Sequence, residues 1–528
     1  MSGAKIEKAT TEAVEDLKAQ GGIHGSATLE EILRTNKPSL VGKGMLQLYL
    51  ICFTIYFAST MNGYDGSLMS SINTLEQYLV YYNISGTGAS TGLIFSIYYV
   101  GIMGGSVFIW LADFLGRRRT IALGCVGVFI GTIVVSTAKT LSIFIGGRFL
   151  LSFFSTIMSS ASALYVIEIS PPHIRGLVSG LFNTLYYLGS LIAAFTVLGT
   201  KLTYTAVDDT RAFRIALWLQ MLCPGIVFSG VLFFPESPRW LTGTSQFEKA
   251  RHFLVKYHSN GEEDHPLVEL EMAEMMASLH EVALSTPKHF LDLRPLVSTR
   301  SNRYRLLIIV CFAWFAQFSG NNVASYYLPT MLAQVGITNS TTQIIMNAAY
   351  AITGWIASII GSWLHDRVGR RKMFLGSNFS MSICLACVAV ATAQSRKDPS
   401  NKSASSATIA FIFIFGVCFA IGYTSMQPVY PGEVASNKLR AKISLIGGVV
   451  AGASSFVNQY AAPVAMQKIS YWFYVFFVFW DLIEAAIIYL LFVETKGRTL
   501  EEIELIFSTK NPVQASLQPL TEDIAIEV

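Results

Sequence analysis

The chain has 528 residues, of which 52% are apolar and only 14% charged, with a mean hydropathy of +0.47 and a formal net charge of +4. An ordinary soluble domain carries roughly 25% charged residues, so this composition cannot clothe a soluble particle and most of the exterior must face lipid. The small net charge gives no ground for a nucleic-acid partner.

Residues 1–44 mix Lys, Glu, Thr and Gly without an apolar core, which predicts a polar tail and not a cleavable signal. A helical span takes roughly 20 apolar residues. Runs of that length lie at 47–69, 91–111, 120–138, 141–167, 177–199, 215–234, 306–332, 343–364, 373–394, 407–430, 443–466 and 471–493. They are far longer than barrel strands, so the fold class is an all-α membrane protein of twelve transmembrane helices. Gly101 with Gly105 and Gly127 with Gly131 sit four apart, the spacing that lets helix backbones approach closely.

A long polar interruption runs from about Pro235 to Arg305. It contains Ser245 with Glu248 in capping-box spacing and two amphipathic stretches, which predict short helices bracing the halves on one membrane face. The expected domains are a tail at 1–44, a six-helix bundle at 45–243, a helical linker at 244–305, a second bundle at 306–494 and a tail at 495–528. The seven cysteines all lie in apolar stretches. Cys384 and Cys387 form a CxxC without a second Cys or His pair, which reads as packing and not as a metal site.

Basic residues set the orientation. The loops after spans 2, 4, 8 and 10 carry Arg117, Arg118, Arg119, Arg175, Arg367, Arg370, Arg371, Lys372, Lys438, Arg440 and Lys442, whereas the loops after spans 1 and 7 carry none. Both termini are therefore expected in the cytoplasm. Asn-x-Ser/Thr triplets at Asn83, Asn339 and Asn401 fall on the opposite side, where glycosylation can occur.

The two halves echo each other. Asp113 opens DFLGRRR and Asp366 opens DRVGRRK; Glu168 precedes Arg175 by seven and Glu433 precedes Arg440 by seven; PESPR with Glu236 and Arg239 closes span 6, and VETKGR with Glu494 closes span 12. The offsets are 253, 265 and 258 residues. Acids and arginines at the ends of neighbouring spans can form a charge network that holds each half-bundle and breaks as the cavity opens inward. Its members are Asp113, Arg117, Glu168, Arg175, Glu236, Arg239, Asp366, Arg370, Glu433, Arg440 and Glu494.

Across residues 45–507 the chain resembles the sugar porter family of the major facilitator superfamily. The resemblance rests on GYDGS at 63–67, DFLGRRR at 113–119, GRF at 147–149, Glu168 with Arg175, PESPRWL at 235–241, QFSGNN with YY at 317–327, DRVGRR at 366–371, Glu433 with Arg440, and VETKGRTLEE at 493–502. FNTLYYLGSLIAA at 182–194, PVYPGEV at 428–434 and FVNQYAAPVAM at 456–466 look most like the fungal lactose permease and cellodextrin permease group.

Ionisable residues within spans are costly and usually functional. Asp65 in span 1 and Arg148 in span 4 match a pair that proton-coupled members of the family use for symport. The resemblance also places Asn183, Gln317, Asn322, Tyr327 and Asn458 at sugar-contacting positions, with Gln427 beside a further one. The family's usual Gln is replaced by Asn183 and by Ala316, and a Trp common in hexose carriers is replaced by Pro428. Each change leaves a smaller side chain, which points to a roomier pocket for a disaccharide or small oligosaccharide. A passive hexose facilitator is the alternative. A sugar sensor would carry a long signalling tail, and only about 35 residues follow span 12. There is no nucleophile–base set, metal cluster or nucleotide-binding loop, so neither an enzyme nor a cofactor is expected. The expected partners are a sugar, a proton and the bilayer, and the expected location is the plasma membrane.

Overall fold

Every apolar run of the sequence is helical in the computed structural model, which describes residues 34–518 apart from 36–38, 40, 85–87, 280–291, 399, 400, 428, 437, 438, 470 and 499. Span 1 is Lys43–Ile72, span 2 Ala89–Ser106, span 3 Arg117–Thr137, span 4 Leu141–Ile169, span 5 Val178–Thr203 and span 6 Arg211–Val231. In the second half, span 7 is Arg300–Ala333, span 8 Ser340–His365, span 9 Arg370–Lys397, span 10 Lys402–Val434, span 11 Arg440–Lys468 and span 12 Trp472–Leu491. Ten of these are long and apolar enough to cross a bilayer on length and composition alone. Spans 2 and 11 complete the twelve. They are diluted by Gly, Ser and Ala, and they pack against each other where the halves meet. Ile130, Ile383, Phe479 and Leu490 stand outward on the bundle.

Within the first half span 4 packs on spans 2 and 3, and span 1 on span 5; within the second, span 9 packs on spans 10 and 12, and span 7 on span 11. The halves meet through span 2 on span 11 and span 5 on span 8, a pair of contacts that a two-fold repeat of the halves requires. Glycine makes the close crossings possible. A Cβ on Gly101 would lie 1.8 Å from the Ser152 Oγ, and one on Gly131 would lie 2.7 Å from the Leu151 nitrogen. The tightest crossing is span 1 on span 5, where a Cβ on Gly63 would lie 1.7 Å from the Tyr186 carbonyl oxygen and one on Gly189 would lie 1.9 Å from that of Thr60. Backbone cannot yield as a side chain does, so Gly189→Ala should cost about 1–3 kcal/mol or more through overpacking. The expected result is a clear loss of monodisperse protein on size exclusion and a lower melting temperature. Parent-like values would refute so tight a crossing.

Two spans are interrupted. Span 7 breaks at Gly320, whose φ of 88° is open to glycine, and bends again at Tyr327 ahead of Pro329. Span 10 contains a π-helical turn, Ala420–Thr424. Such turns recur at functional sites.

The linker forms the helices Pro238–Gly243, Phe247–Tyr257 and Pro266–Leu279. Phe253, Leu254, Val268 and Met272 are buried beneath the first half. The buried His258 ties this layer to span 4, with Nδ1 2.8 Å from Glu271 Oε1 and Nε2 3.0 Å from the Ile169 carbonyl oxygen. Farther along, the Asp292 carbonyl accepts from Lys442 Nζ of span 11 at 2.8 Å, so the linker touches both halves. The expected capping box does not form. Ser245 is left-handed at φ 61° and Gln246 precedes the helix without a side-chain cap, whereas an N-cap needs extended backbone. Ser237 caps the preceding helix instead, accepting from the Trp240 amide at 3.3 Å. Asn339 and Asn401, in the triplets noted above, cap spans 8 and 10 through their Oδ1 atoms, and Asn83 is an exposed left-handed helix terminus.

Candidate functional site

Span 1 carries Asp65 into the interior of the first half, where it is fully buried. Its Oδ1 accepts from Arg148 Nη1 of span 4 and, at 2.5 Å, from Gln220 Nε2 of span 6. The Arg148 guanidinium lies 4.9 Å over the ring of Tyr98 from span 2. A buried carboxylate is tolerable only with such compensation. The pair is thus a charge site whose balance changes with a single proton. Gln220 was not expected, although a lone Gln within the apolar run of span 6 is the kind of signal that marks it.

Next to this pair the chain narrows to Gly66. A Cβ here would stand 2.8 Å from the Tyr186 hydroxyl of span 5 and 3.0 Å from the Tyr326 hydroxyl of span 7. Two tyrosines from opposite halves therefore converge on span 1, one residue from Asp65. Tyr326 lies one helical turn from Asn322, which connects the acid to the polar residues of the second half.

Those residues form one cluster. Asn322 Nδ2 donates to the Gln317 carbonyl at 3.1 Å, to Gln317 Oε1 at 3.3 Å and to Ser455 Oγ at 3.2 Å; Asn458 Nδ2 donates to the Gln317 carbonyl at 3.0 Å. Gln317 stands where span 7 breaks, and the break frees its carbonyl to accept from two side chains. Tyr327 lies on the same interface between spans 7 and 11 and donates to the Gln459 carbonyl at 2.9 Å. Ser455 and Gln459 were missed because Ser and Gln carry little weight in a helix otherwise read from its Asn. Gln427 joins no hydrogen bond of this cluster among the described residues, and Pro428 lies outside them. Ala316 is buried in span 7. Asn183 is elsewhere: its Nδ2 donates to the Thr424 carbonyl in the π turn of span 10 at 2.8 Å, and the Tyr187 hydroxyl lies 3.3 Å from Thr424 Oγ1. These are contacts between halves near the arginine end. Toward the opposite end, Lys201 reaches Ser340 and, at 3.1 Å, Thr341 Oγ1, and Asn347 Nδ2 reaches Ser67 and Ser71 at 3.2 Å. The halves are therefore joined on both sides of the polar cluster.

At the arginine end each half builds the same constellation. In the first, Arg117 bridges Asp113 at 2.9 Å and Glu168 at 2.8 Å, and Glu236 accepts the backbone amides of Arg117, Arg118 and Ser237 at 3.0–3.2 Å. In the second, Arg370 bridges Glu433 at 2.9 Å, and Glu494 accepts the amides of Arg370, Arg371 and Thr495 at 2.9–3.2 Å. Each carboxylate sits on the N-terminus of a span, where backbone donors lack partners and the dipole favours an anion. Gly116 and Gly369, at φ 92° and 107°, turn the chain into spans 3 and 9. The likeness extends to tyrosines: Tyr165 donates to the Pro235 carbonyl at 2.6 Å, and Tyr430 to that of Val493 at 3.1 Å. Burial pushes the Asp113 and Glu236 carboxyls up, opposed at Asp113 by Arg117 and at Glu236 by the amides it caps.

Arg175 and Arg440 stand seven residues after Glu168 and Glu433. The structure gives both acids to the arginine that opens a neighbouring span. Arg175 instead reaches the Ser170 carbonyl at 3.3–3.4 Å. With Arg239 it lies in the field of the linker acids, burial lowering its affinity for a proton against the opposing pull of Glu271. The side chains of Asp366 and Arg440 lie outside the described set.

Residues 51–507 match the model of the family described as "Sugar (and other) transporter". The chain is 26% identical over 473 residues to a high-affinity glucose transporter of Kluyveromyces lactis, which covers 87% of this chain and 84% of the relative. It is 27% identical to the sugar transporter STL1 of Saccharomyces cerevisiae (90% and 84% covered) and 27% identical to a quinate permease of Neurospora africana (91% and 92%). Among solved structures, the proton:xylose symporter XylE bound to 6-bromo-6-deoxy-D-glucose superposes with a TM-score of 0.71 at 18% identity, covering 87% of this chain and 99% of that one. That likeness carries the major facilitator fold.

Proposed function

We propose that this chain, which belongs to the sugar (and other) transporter family, takes up a sugar by alternating access with a proton as the coupled ion, from a plasma membrane in which both termini face the cytoplasm. The observation that carries the coupling is the buried Asp65–Arg148 pair with Gln220 on the same oxygen. Protonating Asp65 discharges one partner and loosens span 1 from spans 4 and 6, which shifts the balance of outward and inward states. The Gln317–Asn322–Ser455–Asn458 cluster supplies the recognition. Its donors and acceptors satisfy one another here, and a polyol can exchange its hydroxyls for those bonds without leaving buried polar atoms unpaired. The arginine-end constellations hold each half as a unit, and the contacts Asn183–Thr424 and Lys201–Thr341 are the inner and outer joints between the units. Glycosylation at Asn83, Asn339 or Asn401 would fall on the outer side.

The small side chain at Ala316, buried in span 7, supports a disaccharide or small oligosaccharide as substrate. Relatives named as glucose and hexose carriers support the second reading, a hexose, carried by symport or by facilitated diffusion. Labelled-sugar uptake in transporter-deficient cells, with and without a protonophore, tests both. On the first reading a disaccharide is taken up better than glucose, and Ala316→Gln penalises the larger sugar more. If glucose wins and no disaccharide competes, the roomy pocket is wrong. If no sugar enters, the proposal fails.

A further inference from the structure

Span 12 holds two acids that nothing above uses. Asp481 and Glu484 sit three residues apart on one helical face, both fully buried. Glu484 Oε1 accepts from the Trp480 indole at 2.5 Å, whereas Glu484 Oε2 and both oxygens of Asp481 have no hydrogen-bond partner. Among the described residues no Lys, Arg or His pairs with either acid. Tyr423 of span 10 lies in the electrostatic field of both acids.

Span 9 lines the other side. Ser382 Oγ donates to the Val478 carbonyl at 3.0 Å, which fixes the register of the antiparallel spans 9 and 12. One turn toward the arginine end this register sets Asn378 at the level of Asp481. Asn378 is fully buried, its Oδ1 accepts from the Tyr423 hydroxyl at 2.9 Å, and its Nδ2 has no partner. An orphan donor thus stands in the same dry layer as three orphan acceptor oxygens. Two carboxylates cannot both stay ionised there without a counter-charge. Tyr423 connects the layer to the rest of the machine, because it belongs to the π turn whose next residue, Thr424, accepts from Asn183 across the inner joint.

We propose that Asp481 and Glu484 form a proton-binding site separate from Asp65, holding at least one proton between them, and that its occupancy biases the inner joint through Tyr423 and Thr424. The site does not depend on which solute is carried. Infrared spectroscopy of the full chain in lipid vesicles at neutral pH should show a protonated-carboxyl carbonyl band, altered in Asp481→Asn and in Glu484→Gln and lost when the two are combined. In Trp480→Phe, which removes the indole donor and no acid, the band should shift and persist. No such band in the parent, or a band indifferent to both substitutions, overturns the site. A band that appears only when sodium and potassium are withdrawn would make it a metal-cation site instead and also overturns it. For the link to the joint, solute exchange is followed against pH in an Asp65→Asn background. The remaining pH dependence should vanish in the added Asp481→Asn, Glu484→Gln pair, and a dependence unchanged by that pair, or none to begin with, overturns the link.

Discussion

Asp65→Asn should abolish accumulation of solute against a gradient while leaving exchange of internal for external solute. Asn keeps the size of Asp and an oxygen for Gln220, so the interior stays filled and hydrogen-bonded. What it loses is the negative charge opposite Arg148. The variant therefore resembles the protonated state and cannot return to the ionised one. Binding and reorientation with solute need only the protonated form, whereas net uphill transport needs proton release at every cycle. In the parent, uptake should fall as external pH rises, because protonation from outside becomes rarer. The measurement is steady-state accumulation in energised cells, parent beside variant. If the variant accumulates as steeply as the parent, or a protonophore leaves the parent's level unchanged, coupling through Asp65 is wrong. Arg148→Ala should be harsher than Asp65→Asn, since it strands a buried carboxylate with Gln220 alone, and removing one partner of a buried pair costs about 3–5 kcal/mol.

The spans and the repeat were legible because they rest on signals that act at short range. Long apolar runs, basic loops and the paired DFLGRRR and DRVGRRK turns each state their own environment. Asp65 and Arg148 were legible for the same reason, as costly charges in apolar segments. Partnerships across spans were less so. Glu168 has several arginines within reach, and spacing along the chain says nothing about which helix end stands beside it; the fold chose Arg117 because span 3 starts next to the end of span 4. Asn183 reads as a cavity residue, but the packing of span 5 on the second half spends its amide on Thr424. The acids of span 12 were overlooked although WDLIE interrupts an apolar run as plainly as GYDGS does in span 1. The π turn at 420–424 has no sequence signal comparable to the glycine and proline that break span 7.

The arginine-end constellations predict the second large effect. Arg117→Ala should cut both the yield of folded carrier and its turnover, and Arg370→Ala should do the same in the other half. The Glu168 side chain is 4% exposed, and Arg117 stands between it and Asp113. Without the guanidinium two carboxylates face each other in a partly dry site, an imbalance of about 3–5 kcal/mol by the cost of breaking buried pairs. Arg175→Ala removes weak bonds to the Ser170 carbonyl and a share of the field on Glu271, Glu274 and Glu168, but no ion pair at bonding distance among the described residues. Its fold should survive, with turnover lowered more than sugar affinity. The discriminating step is a double-mutant cycle. If Arg117 works by neutralising Glu168, then Glu168→Gln should recover much of the loss in Arg117→Ala, a coupling that independent sites do not show. Melting temperature, folded yield and initial uptake rate are measured on all four proteins. Additive losses would mean that Arg117 and Glu168 act separately, and a fold loss in Arg175→Ala as large as in Arg117→Ala would make Arg175 an equal partner of Glu168.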